Sequence, residues 1–234
     1  KESFFFAISA LRNNKLRTFL SLIGVTVGIF SIIAVLAAVD SLDQSIKSQL
    51  SGIDKNTMYV TRFSFGPTSV PRWQRENFPQ TGNDDFEFIR RNVSGIEASA
   101  FALFGRGQTI RYKDRTLENI NTTPVSNEIY EIDNLKIYKG RFYNETESNT
   151  GASVVVIGFN LAKNLFENEE PVGKVVRIYG RKLTVIGVLD KYGGLNMDSP
   201  DEKAFVPANF ARGFMNTGSK GVLTMIIIKP EKGI

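Results

Sequence analysis

No residue between Arg17 and Asp40 is charged, and Phe19 to Val39 reads FLSLIGVTVGIFSIIAVLAAV, a run of 21 residues. As a helix rising 1.5 Å per residue this run is about 31 Å long, which matches a bilayer hydrocarbon core of about 30 Å. It predicts a transmembrane helix, and everything else in the chain has to be placed on one side of it or the other. A cleaved signal peptide is the competing reading, with Ala34, Ala37 and Ala38 resembling a cleavage site. The run is longer than the roughly 7 to 15 apolar residues of a signal peptide, which favours the span.

The flanks give a direction. Lys1, Arg12, Lys15 and Arg17 precede the span, whereas the first charges after it are Asp40 and Asp43, with Lys47 only later. Positive charge is retained on the cytoplasmic side, so the N-terminus is expected inside and the chain after about residue 40 outside. In a bacterium this means the inner membrane and the periplasm. Phe4, Phe5, Ile8 and Leu11 recur at helical spacing ahead of the span, which predicts a cytoplasmic segment over 1–18. Its helix either lies in the lipid interface or packs on protein.

Within the span Gly24 and Gly28 form a GxxxG pair, and Ser21, Thr26 and Ser31 add small polar positions. Small residues one turn apart let a second helix approach closely, so Gly24 and Gly28 are the candidate helix-packing site. Beyond the span, Leu42, Ile46 and Leu50 continue the helical period until Gly52, a natural stop. The helix is therefore expected to leave the membrane as a stalk over 40–52, able to transmit movement.

Outside the membrane, 42% hydrophobic residues, 23% charged residues and 18 Phe are enough for a packed core and argue against disorder. The formal charge of +5 would suit nucleic acid only if the cations gathered on one face, and acidic residues interrupt each cationic neighbourhood in the sequence. No nucleic-acid partner is expected. The absence of both Cys and His removes disulfides, thiolate nucleophiles, Ser-His-Asp triads, HExxH sites and the usual zinc ligands. Asp84-Asp85 and the trio Glu167, Glu169, Glu170 are the notable carboxylate groups, and each is expected at a helix cap or a solvated helix end.

The pattern of elements is α+β. Residues 56–63 read as a first strand and 64–82 as a long loop with four breakers, Gly66, Pro67, Pro71 and Pro79. In that loop Arg72, Trp73 and Arg75 form a candidate partner-contact site, although Trp73 could equally pack down. A helix over 84–91, capped by Asn83 or Asp84 and turning Phe86 and Ile89 inward, leads to a strand over 96–104, together a βαβ-like unit. Strands follow at 108–112, 115–122, near 138–142 and at 153–157, then a helix at 160–166. Strands 175–179 and 182–189 are expected to flank a Gly180-Arg181 turn, and strands at 204–207 and 222–229 close the series.

At this point particular stretches match a known pattern. SALRNNKLRTFLSLIGVTVGIFSIIAVLA (9–37), KGRFYNE (139–145), VVVIGFNLAKNLF (154–166), PVGKVVRIYGRKLTVIGVL (171–189) and AFVPANF (204–210) resemble, in order, the MacB/FtsX-like permeases of ATP-binding cassette systems. Their glycines and prolines have structural roles, and no catalytic residue carries over. The resemblance implies a periplasmic region of two subdomains: a membrane-proximal βαβ-containing unit from 53–104 and 222–234, and a β-rich insert over 105–221. It also implies that further membrane helices follow residue 234.

What the resemblance implies for function is mechanical. A cytoplasmic ATPase, separate or fused, would drive this permease and a second copy or paralogue, and the outer domains would act on a substrate or a periplasmic adaptor. No cofactor is expected in the chain itself; ATP would sit on the ATPase, since no GxxxxGK[ST] loop occurs and Gly218-Ser219-Lys220 lacks its order. A membrane-anchored binding or sensory domain without a transporter is the alternative, and an anchored enzyme a remote third.

Overall fold

The computed structural model describes residues 15–50, 57–62, 70, 71, 74, 77–193, 199–215 and 222–231, with side chains in the first helix described for 15, 16 and 18–42. The chain divides into two compact units, residues 1–51 and 52–234. The expected segment over 1–14 and the contact-loop residues Arg72, Trp73 and Arg75 lie outside the described residues.

The described part of the first unit is one unbroken helix, α1, Lys15–Leu50. At 36 residues it is about 54 Å long. The stretch apolar enough to cross a membrane runs Thr18–Leu42, a few residues longer than 19–39, and takes in one charged residue, Asp40, near its end. Leu20, Ile23, Phe30 and Ile33 are all exposed, and apolar side chains occupy every side of the helix. An all-round apolar surface is the mark of a helix whose solvent is hydrocarbon or other helices.

The second unit is α+β. Its strands are β1 Met58–Thr61, β2 Ile96–Phe104, β3 Gln108–Tyr112, β4 Arg115–Ile120, β5 Thr122–Val125, β6 Ile137–Gly140, β7 Val154–Ile157, β8 Val175–Ile178, β9 Arg181–Leu189, β10 Ala204–Pro207 and β11 Leu223–Pro230. The helices are α2 Asn83–Asn92, α3 Ile129–Ile132, α4 Glu145–Thr150, α5 Phe159–Phe166 and α6 Ala208–Arg212, with a 3-10 turn at Pro200–Glu202. The strands join in the order β1-β11-β2-β5-β10-β7-β9-β8-β3-β4, and β6 pairs with β9 off this path. Pairing is antiparallel except for β5 with β10 and β7 with β9.

The βαβ-like unit takes a split form. β11 lies between β1 and β2 and runs antiparallel to both, so β1 and β2 are parallel to each other without touching. Both faces of this part of the sheet are covered. Phe101, Leu103, Ile226 and Ile228 pack under Phe86 of α2, while Ala100, Ala102, Met225 and Ile227 belong to the opposite core with Ile129 and Phe205. That double burial explains why β2 and β11 read as continuous apolar runs rather than alternating ones. Across β3, β8 and the first half of β9 one face alone is buried: Ile110, Val176, Ile178, Leu183 and Val185 pack against Leu161, Leu165 and Phe166 of α5. Here the sequence alternates, and the other face meets water.

Three local expectations are corrected. The cap of α2 is Gly82, not Asn83 or Asp84; its N–H donates to the Asp85 carboxylate at 2.7 Å, so the acid acts from inside the first turn. The expected strand 115–122 is two strands, broken at Asn121 where β5 turns to pair with β10 rather than with β3. The β8–β9 turn is Tyr179-Gly180, not Gly180-Arg181. Ile178 pairs with Arg181, and both turn residues have positive φ, +54° and +73°, which a two-residue hairpin of the I′ kind requires.

Candidate functional site

Two surfaces carry the sequence-based expectations: the bare face of α1 and the motif region of the outer unit. On α1, a Cβ built at Gly24 or at Gly28 meets no atom within 4 Å. The two glycines sit one turn apart on an exposed helix, and nothing in the described chain fills the groove they leave. Thr26 is already satisfied, since its hydroxyl donates to the Leu22 carbonyl at 2.8 Å. Its hydroxyl therefore has a partner inside the helix, and the groove at Gly24 and Gly28 is the feature suited to close packing.

In the outer unit KGRFYNE forms a junction in which each residue has a structural partner. Gly140 has φ +76°, and an added Cβ would lie 2.2 Å from the Ile186 carbonyl oxygen; Gly187, across the strand pair, would meet the Arg141 carbonyl oxygen at 2.3 Å. β6 and β9 can cross this closely only without side chains at these positions. Arg141 forks onto Glu147 through two bonds of 2.6 and 2.7 Å, and its guanidinium holds the Glu147 carboxyl below the usual range. Glu147 also accepts from the Asn144 N–H while the Asn144 side chain accepts from the Glu147 N–H, a reciprocal cap on α4. Tyr143 is buried, its hydroxyl donating to the Val125 carbonyl at 2.9 Å at the parallel β5–β10 junction, and burial pushes the phenol well above its ordinary value.

The carboxylate trio is also structural. Glu167 pairs with Arg115 at 2.7 Å, Glu169 with Lys113 at 2.7 Å, and Glu170 with Lys139 at 2.6 Å. Glu169 additionally accepts from the Tyr112 hydroxyl at 2.8 Å, and Lys113 with Tyr112 lowers its carboxyl. The three acids are solvated residues after a helix end, as expected, with side chains 40 to 64% exposed, and each also pairs with a cation of the β3–β4 hairpin or of β6. Asp201 is fully buried and accepts from the N–H groups of Tyr192 and Gly193 at 2.9 and 3.0 Å, which ties the 190s to the 3-10 turn. Sequence reasoning missed this acid; its one local signal is the Ser199-Pro200-Asp201 turn, in which Ser199 caps the Asp201 N–H.

Among the described residues no group of three or more acids could hold a metal ion. A shallow, open concavity is lined by Lys163, Asn164, Glu167 and Asn168 and has no buried polar group aimed into it.

The family model for the MacB-like periplasmic core domain matches residues 18–234. Among curated relatives, the macrolide export ATP-binding/permease protein MacB of Bdellovibrio bacteriovorus is 29% identical over 200 residues, 84% of this chain and 30% of that protein. MacB of Marinobacter nauticus is 30% identical over 86% of this chain and 30% of its own length. The uncharacterized ABC transporter permease YknZ of Bacillus subtilis is 28% identical over 90% of this chain and 52% of its own. The chain therefore spans between about a third and a half of these relatives. The crystal structure of the periplasmic region of MacB from Actinobacillus actinomycetemcomitans superposes with a TM-score of 0.63 at 20% identity, covering 79% of each chain, and shares the fold. The apolar helix and this outer fold make a membrane-anchored chain with an extracytoplasmic domain. Matched over nearly its whole length, the chain belongs to the family of MacB-like ABC transporter permeases, whose periplasmic core domain it carries.

Proposed function

We propose that the chain is part of a permease that relays the motion of a cytoplasmic ATPase to an extracytoplasmic domain, which acts on an exported or extracted substrate. The observation that carries the reading is the unbroken helix α1. Its 36 residues measure about 54 Å, and with the span at 19–39 residues 40–50 continue as roughly 16 Å of helix on the far side. A helix of that length carries displacement along its axis. The charge bias, Lys15 and Arg17 before the span against Asp40 and Asp43 after it, supports a cytoplasmic N-terminus.

In this reading ATP is bound by the ATPase, which is a separate subunit or a fused domain. The open groove at Gly24 and Gly28 supports contact with another membrane helix, from the same protein or from a second permease copy or paralogue. The outer unit works as two subdomains, residues 53–104 with 222–234 and the insert 105–221. The loop with Arg72, Trp73 and Arg75 contacts an adaptor or substrate. The test is to purify the full-length gene product from membranes in mild detergent and ask for ATP hydrolysis in the same particle. Stoichiometric ATPase supports the relay; a particle reproducibly free of it means an anchored binding or sensory domain instead.

A further inference from the structure

The solvent face of the sheet carries a line of three cations that the fold does not use. Arg111 of β3 lies directly opposite Arg177 of β8, and Arg177 lies directly opposite Lys182 of β9. Thr116 of β4 completes the row on the far side of Arg111. All four side chains are exposed, and they stand on the face opposite Ile110, Val176 and Leu183, which point into the core.

Like charges directly opposite one another on adjacent strands destabilise a sheet, and here two such pairs share a residue. Other cations of this region are neutralised: Lys113 by Glu169, Arg115 by Glu167, and Arg181 lies over the Phe214 ring at 4.8 Å. Arg111, Arg177 and Lys182 have no hydrogen bond or ion pair among the described residues. Glu118, the acid two residues along β4 from Thr116, pairs with none of them. The row thus persists at a cost to the isolated domain, as expected of a surface that is completed by something negative.

Spacing selects the occupant. Neighbouring strands are roughly 4.8 Å apart, so the three positions span roughly 10 Å in a line across the strands. Carboxylates at i, i+3 and i+7 of an α-helix lie on one face and rise by about 10.5 Å in total. On an extended strand, same-face residues step by roughly 6.7 Å and reach about 13 Å over the same count, out of register with the row. The geometry points to an acidic helix of a partner protein docking across β3, β8 and β9, its carboxylates meeting Arg111, Arg177 and Lys182. This inference concerns a contact of the outer face and stands whether or not an ATPase drives the chain.

The experiment uses the full-length protein in detergent and two fluorescent helical peptides of one composition. One carries Glu at i, i+3 and i+7; the other carries them at i, i+5 and i+6, which scatters them around the helix. At low salt the first peptide is expected to bind at least about tenfold more tightly than the second. A triple variant, Arg111→Gln, Arg177→Gln and Lys182→Gln, is expected to abolish that preference while its melting temperature stays level or rises, since repulsion has been removed. Equal binding of both peptides would show a field of charge without register and overturn the inference. So would a triple variant that still discriminates, or one that melts lower, which would make the row structural. Wild-type binding to anionic vesicles that the first peptide cannot compete away would assign the row to lipid headgroups instead, and also overturn it.

Discussion

Tyr143 shows how much of this domain is held by single side chains at strand junctions. Its ring is buried, and its hydroxyl reaches Val125 at the end of β5 and lies 3.4 Å from the Val206 carbonyl of β10. Tyr143→Phe keeps the ring and removes the donor. The expected loss is about 1 kcal/mol, read as a lower denaturation midpoint with unchanged slope. Asp133 is a second residue with a distinct signature. Burial raises its carboxyl to about 6, against the opposing pull of the Lys203 ammonium. A carboxyl that is higher in the folded chain than in the unfolded one means folding takes up a proton between about pH 4 and pH 6. Its stabilising contribution is complete below about pH 4 and is lost as the pH rises through 6. Asp133→Asn is expected to flatten the stability profile across that window and to leave the variant more stable than the parent at pH 7. Denaturation midpoints at pH 4, 5, 6 and 7 check this.

At the scale of elements, the β8–β9 hairpin isolates a backbone effect. Gly180 has φ +73°, and a Cβ there would touch nothing within 4 Å. Gly180→Ala should therefore cost about 1 to 2 kcal/mol through the left-handed conformation alone, with no steric component, and the loss shows in the same midpoint measurement. The two glycines of α1 make the opposite case. A Cβ at Gly24 or Gly28 meets no described atom within 4 Å, so with Gly24→Leu and Gly28→Leu the outer unit should melt unchanged. Energy transfer between labelled full-length copies or helices in a bilayer should fall, because the side chains fill the groove a neighbour would enter. Unaltered transfer would remove the packing role of that face. Elements of this kind were legible in the sequence where one local pattern decided them. The charge-free run marked α1, and strands β2, β3 and β7 through β9 followed their apolar pattern to within a residue or two. The errors lie where a distant partner decides: Asn121 breaks an apparent single strand because β5 pairs with β10, and Gly82 caps α2 through the side chain of Asp85. The Tyr179-Gly180 turn was displaced by one residue because Tyr is a rare choice for positive φ. The site was less legible than the fold. Gly24 and Gly28 announce themselves by spacing, but the cationic row does not, since Arg111, Arg177 and Lys182 become neighbours only through strand pairing.

Taken whole, the molecule has a helix apolar enough for lipid and an α+β domain in which Glu147, Gly140, Gly187 and the buried Tyr143 serve the scaffold. Among the described residues no group of three or more acids could hold a metal ion, and the family is one of ABC transporter permeases. The direct test of the relay is a distance measurement on the full-length protein in lipid nanodiscs with its ATPase. Asn164 lies on the exposed side of α5, and this chain contains no Cys, so Asn164→Cys gives a spin-label site on each outer domain of a permease pair. The account predicts that the label-to-label distance shifts by several ångströms, roughly a helical turn of about 5 Å, between the nucleotide-free and ATP-trapped states. A distance distribution that stays fixed while the particle hydrolyses ATP would contradict it.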